Sequence, residues 1–125
     1  MKNLLLTATL ILTTFTTFAQ DKKVTRIAKI TVDSTQLPAY GELLKEQMNA
    51  AIKLEPGVLS YNVYADKMHP YIITIVEVYA DNESYLSHRE APHFKKYKLA
   101  TKEMVKSLEL SEVTPVLAVA KEEKR

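Results

Sequence analysis

Apolar and polar residues alternate from Val24 to Val32 (VTRIAKITV), and β-branched types dominate, which predicts a first strand. Asp33-Ser34-Thr35 then supplies capping side chains, and Pro38 suits the first turn of a helix. From there the period changes. Tyr40, Leu44, Met48 and Ala51 recur every three or four residues, with Leu43, Gln47 and Leu54 alongside, while Glu42, Lys45, Glu46 and Lys53 fill other positions. This is an amphipathic helix, stopped by Glu55-Pro56-Gly57. Val58 to Ala65 (VLSYNVYA) and Tyr71 to Tyr79 (YIITIVEVY) predict two more strands. The short polar link Asp66-Lys67-Met68-His69-Pro70 makes them an antiparallel hairpin.

Asp81 or Asn82 can cap a second helix, which Ala91-Pro92 interrupts because proline disfavours the helical conformation of the residue before it. The helical pattern resumes with Phe94, Tyr97, Thr101, Met104, Val105 and Leu108 on one side and lysines on the other. Val113 to Ala120 (VTPVLAVA) predicts a fourth strand, placed at a sheet edge by Pro115, and Lys121 to Arg125 reads as a charged tail. Strand, helix, strand, strand, helix, strand is the order of the ferredoxin-like fold, an α+β arrangement with helices on one face of a four-stranded antiparallel sheet.

The third strand is apolar on both faces: Ile73 and Ile75 on one, Ile72, Val76 and Val78 on the other. Leu117 and Val119 against Val116 and Ala118 suggest the same of the fourth. A sheet covered by helices on one face and greasy on the other needs a cover. The expected cover is a second copy of the chain, giving a homodimer whose sheets pack face to face into a barrel.

Composition alters this picture at the N-terminus. Lys2 opens an uncharged apolar, Thr-rich run from Leu4 to Phe18, and Thr17-Phe18-Ala19 precedes a polar Gln20-Asp21. This is the pattern of a secretory signal peptide over residues 1–19, followed by a single domain over 20–125. The apolar run is shorter than the roughly 20 residues that span a bilayer. Cleavage removes one lysine and lowers the net charge from +2 to +1. The mature protein is expected in the periplasm or outside the cell, with no membrane association after cleavage. There is no cysteine, so disulfides, zinc ribbons and thiol redox chemistry are excluded. Charges of both signs are interspersed, which is a poor footprint for nucleic acid.

Candidate chemistry gathers between Glu77 and Tyr97 (EVYADNESYLSHREAPHFKKY), which holds two of the three histidines. A carboxylate in an apolar strand is costly unless something meets it, so Glu77 is a candidate for a functional group or for an ion pair with Lys29 or Arg89. His88 and His93 lie five apart, not at the i, i+4 spacing of a helical metal site, so no metal is expected there. His69, in a turn beside Pro70, reads as solvated surface, and the lysines at 95, 96, 98, 102 and 106 as the wet side of a helix. Any one tyrosine is well explained by packing alone.

Glu55-Pro56-Gly57, Tyr61-Asn62-Val63-Tyr64, Glu77-Val78-Tyr79 and His88…Pro92-His93-Phe94…Tyr97 together resemble the antibiotic biosynthesis monooxygenase family of small dimeric α/β-barrel proteins, over roughly Val24 to Ala120. The resemblance implies a pocket between sheet and helices in which a dihydroxy-aromatic substrate loses a proton and reacts with dioxygen, with no cofactor. It implies His88 as base and Glu77 as its orienting carboxylate. It further implies Asn62, Tyr64 and Tyr79 facing the ligand from the sheet, with Tyr85, His93, Phe94 and Tyr97 on the helix side. The chain has no tryptophan, on which haem-degrading relatives rely. A ligand-binding protein without turnover and an isomerase of small hydroxy-ketones are the competing uses of such a pocket.

Overall fold

A computed structural model describes residues 22–121 of the chain. The predicted signal peptide, and the tail beyond Lys121, lie outside the described residues. The elements are β1 (Val24–Val32), a short 3-10 turn (Ser34–Gln36), α1 (Leu37–Leu54), β2 (Val58–Ala65), β3 (Ile72–Tyr79), α2 (Asn82–Glu90), α3 (Pro92–Thr101) and β4 (Val105–Val113). All strand pairs are antiparallel and the sheet order is β2-β3-β1-β4. This is the ferredoxin-like α+β fold. Among the described residues no helix is long and apolar enough to cross a membrane.

The helices cover one sheet face because the apolar set of each strand points that way. Ala28, Ile30 and Val32 of β1 and Ile73 and Ile75 of β3 are buried with Tyr40 and Leu44 of α1 and Tyr97 of α3. A second cluster joins Val24, Ala51, Val58 and Tyr79 at the other end. Local chemistry sets the boundaries. The Asp33 carboxylate accepts from the Thr35 backbone N–H at 2.9 Å, and Asp81 caps α2 by accepting from the Ser84 N–H at 2.7 Å. Pro92 starts α3 where Ala91 adopts extended backbone, so the break falls where the proline requires it.

The last third departs from expectation. The helix ends at Thr101, and the fourth strand is Val105–Val113, not Val113–Ala120. Leu108 is therefore a strand residue, paired with Ile30. The chain turns where the Met104 N–H donates to the Thr101 carbonyl, and the Met104 carbonyl then accepts from Asp33 N–H, which brings β4 alongside β1. Val116, Leu117 and Val119 belong to no element and are 98%, 82% and 86% exposed. β4 does stand at a sheet edge, but Pro115 follows it and plays no part in that placement.

Candidate functional site

Between the sheet and α3 lies a cavity of about 80 Å³. Its walls are mainly apolar, with Ile30, Ile75, Leu44 and Phe94 among them; Tyr97 closes one side, and Thr101 and Lys98 of α3 line it too. Tyr61 of β2 and Glu77 of β3 are its polar floor. They are directly opposed in the β2–β3 ladder, so their side chains share the helix-facing side. The rim toward β4 is made by Leu108 and Leu110, which remain 40% and 56% exposed.

Behind the floor stands a hydrogen-bonded network. The Tyr79 hydroxyl donates to Glu77 Oε2 at 2.8 Å. Burial, and next the negative charge of Glu77, push the Tyr61 and Tyr79 phenols far above their ordinary range. Both are therefore neutral donors rather than phenolates. Tyr61 Oη accepts from Gln47 Nε2 at 3.1 Å and lies 3.3 Å from His88 Nε2. His88 is 1% exposed, held by Phe94 with ring centroids 4.7 Å apart and by Tyr79 at 5.5 Å.

One carboxylate meets both histidines. Glu55 Oε2 lies 2.8 Å from His88 Nδ1 and 2.7 Å from His93 Nε2. A carboxylate only accepts, so each of those nitrogens carries a hydrogen. In a neutral His88 ring, Nε2 is then a lone-pair acceptor aimed at the Tyr61 hydroxyl. Behind the cavity wall, the hydroxyl of Tyr97 meets that of buried Tyr40 at 2.7 Å.

The structure thus reorders the expected site. Glu77, Phe94 and Tyr97 line the cavity, while Tyr79 and His88 reach it through Glu77 and Tyr61. Glu77 does not orient His88; Glu55 does. Asn62 and Tyr64 are opposed to Val76 and Thr74, on the face away from the helices, and Tyr64 is 59% exposed. They cannot face a ligand held over Glu77, because strand side chains alternate. Tyr85 packs on Tyr79 at 5.3 Å under the Arg26 guanidinium, 4.5 Å from its ring, and does not line the cavity. His93 turns to Glu55 instead. Nor does Glu77 pair with Lys29, which lies on the opposite face, or with Arg89, whose guanidinium lies 5.9 Å from the Tyr85 ring.

Tyr61, Glu55 and Gln47 were not foreseen. Tyr61 had a signal: Ser60 and Asn62 are polar while Tyr61 and Val63 are apolar, so Tyr61 and Val63 share the core face in the part of β2 beyond the register shift at Val58–Ser60. Glu55 looked like part of a helix stop, and nothing local distinguishes it. The five-residue spacing of the histidines also loses its force, since the break at Ala91-Pro92 lets both rings turn to the same oxygen.

Comparison with known proteins adds to this geometry. Residues 23–99 match the family model described as antibiotic biosynthesis monooxygenase. A Bacteroides thetaiotaomicron protein of solved structure, provisionally described as an antibiotic biosynthesis monooxygenase, is 41% identical with a TM-score of 0.76, over 82% of this chain and 97% of that one. A Lactobacillus acidophilus protein provisionally described as a monooxygenase is 30% identical with a TM-score of 0.74, over 77% of this chain but 46% of that one. A Nitrosomonas europaea structure shares the fold at a TM-score of 0.73 and 15% identity, over 81% of this chain and 97% of that one. No curated protein matches.

Proposed function

The chain belongs to the antibiotic biosynthesis monooxygenase family, and from that premise we propose that it is an exported, cofactor-independent monooxygenase acting on a small quinol with dioxygen. The observation that carries the reading is the Glu55–His88–Tyr61 chain of contacts, which ends at the floor of an apolar cavity beside Glu77. A carboxylate that orients an imidazole, whose other nitrogen faces a hydroxyl, is the arrangement that general-base catalysis uses.

The steps follow from the protonation states. A quinol hydroxyl on the cavity floor gives its proton to Tyr61 as Tyr61 passes its own to His88 Nε2. Tyr61 cannot act alone, because its phenol is held protonated far above neutrality. Glu55 stabilises the imidazolium that results. The quinolate gives electrons to dioxygen, one oxygen atom is retained on carbon, and the other leaves as water. The substrate supplies both electrons and protons, so the hydroxyquinone product balances without an external reductant. A volume of about 80 Å³ favours a single ring, reaching out past Leu108 and Leu110.

Oxygen uptake over a panel of hydroquinones tests this. Tyr61→Phe and His88→Ala should each lower the rate by about 10²–10⁴-fold, and Glu77→Ala should impair it as well. Equal rates in all four proteins would remove these residues from the mechanism. Saturable quinol binding with no turnover would assign the cavity to a binding protein. Export rests on the pattern of residues 1–19, and a mature protein whose N-terminus is Gln20 would support it.

A further inference from the structure

We propose that Glu55, His88 and His93 form a binding site for one borderline divalent transition ion, of the class of zinc or ferrous iron, loaded from a cleft at the end of α1. The proposal does not depend on the quinol reading, since its readout is binding. One ligand atom from each residue lies within 4.8 Å of the others. They come from three places in the chain: the residue after α1, the last turn of α2 and the first turn of α3. Their approach is fixed by the break at Ala91-Pro92 and by the turn at Pro56-Gly57.

The donor set narrows the ion. Two imidazoles and one carboxylate suit zinc, iron, cobalt or nickel, whereas calcium and magnesium prefer all-oxygen sites and soft ions prefer sulfur. The geometry lies close to what such an ion needs. Ligand atoms about 2.0–2.2 Å from a metal stand roughly 3.4 Å from one another in a tetrahedral arrangement. Glu55 Oε2 is now 2.8 and 2.7 Å from the two nitrogens. The two nitrogens lie within 4.8 Å of each other, so admitting the ion at these bond lengths needs a retreat of under about 1 Å by the carboxylate and an approach of up to about 1.4 Å between the two rings. Glu55 has room for it, being 15% exposed and on the wall of an open cleft of about 340 Å³. That cleft is an approach path for a cation: Glu55, Asp81 and Glu83 line it with Ser84 and Ser87, and no lysine or arginine does.

The outer partner of the buried ligand is in place too. A ring that binds metal through Nδ1 carries its proton on Nε2, which needs an acceptor. Tyr61 Oη is 3.3 Å from His88 Nε2, and it can accept there while turning its own hydrogen to the adjacent Glu77 carboxylate. A consequence follows. Metal on Nδ1 makes Nε2 a donor, so an ion at this site and proton uptake by His88 exclude each other.

Tag-free protein, stripped with a chelator, is titrated with zinc and, separately, with magnesium and calcium. The expected result is one zinc per chain, a melting midpoint raised by zinc and restored by chelator, and no response to the other two ions. His93→Ala and Glu55→Gln should each weaken zinc binding by more than about tenfold, and His69→Ala should not. Should those variants not fold, paramagnetic cobalt added to the unaltered protein should shift the ring signals of His88 and His93 and spare exposed His69. Zinc binding only in the millimolar range, binding unchanged in both variants, or cobalt shifts centred on His69 would each overturn the site.

Discussion

Tyr40 and Tyr97 show how a single buried contact divides its energy. They are 1% and 7% exposed and their hydroxyls meet at 2.7 Å. Removing the Tyr97 hydroxyl takes away the partner of Tyr40, so Tyr97→Phe should cost about 1–3 kcal/mol in urea unfolding; Tyr40→Phe should cost less, because the Thr101 side chain also bonds the Tyr97 hydroxyl. The double variant should cost less than the sum, because it leaves nothing unpaired; strict additivity would mean that the hydroxyls are satisfied elsewhere. Asp33 gives a pH-dependent case. The Thr35 hydroxyl and backbone N–H, with help from Lys106, lower its pKa from 3.8 to about 2. A depressed folded-state pKa contributes stability above the unfolded value that is lost as pH falls through the folded one. Asp33→Ala should therefore be less stable than the parent at pH 7, and the gap in melting midpoint should close as pH falls from about 4 to about 2. At this scale the sequence marks residue types better than residue partners. Glu77 was legible because a carboxylate in an apolar strand stands out. Its partner Tyr79, two residues on along the same face of β3, follows from alternation alone, whereas its neighbour Tyr61 depends on cross-strand register, which no single strand reveals. Glu55 depends on where two helix ends meet.

Elements were legible wherever one period held without competition. β1, α1 and the β2–β3 hairpin match their alternation and punctuation, and the proline break divides α2 from α3. β4 was misplaced because two periods overlap: Met104, Val105 and Leu108 continue a helical stripe, while Leu108 and Leu110 alternate with Ser107, Glu109 and Ser111. Pairing with β1 decides between them, and that is a long-range contact. Placement of α2 depends on a close approach at Gly57. A Cβ built there would lie 2.1 Å from Ser84 Oγ and 2.5 Å from Ser84 Cβ. Gly57→Ala should push α2 away from the start of β2 and cost about 1–3 kcal/mol, with His88 moved off Tyr61. Adding Ser84→Gly should recover part of that loss, although it also removes the Ser84 Oγ–Asp81 bond at the cap. No recovery in thermal unfolding would place the strain elsewhere.

For the whole molecule, three apolar features have no cover among the described residues. On the sheet face away from the helices, Ile27, Ile72, Val76 and Val78 lie half-buried between polar threonines and serines. β4 contributes Ser107, Glu109 and Ser111 to that face, so the apolar band is narrower than the sequence suggested and centres on β3. The segment after β4 exposes Val116, Leu117 and Val119, and the cavity rim exposes Leu108 and Leu110. A stable interface needs about 800 Å² from each partner, an area that a four-stranded sheet face supplies. Packing two such faces together would bury the β3 band, and an apolar arm leaving β4 can then lie along the second copy. Sedimentation at micromolar concentration should therefore give twice the chain mass. Val76→Glu sets like charges near the shared centre and should cost about 3 kcal/mol or more, raising the dissociation constant by at least about a hundredfold. The monomer it releases should keep its circular dichroism, because Val76 points away from the helix-side core. Ending the chain after Val113 should weaken the dimer less. A parent protein that sediments as a monomer, or a Val76→Glu variant that stays dimeric, would put the cover of this face somewhere other than a second copy.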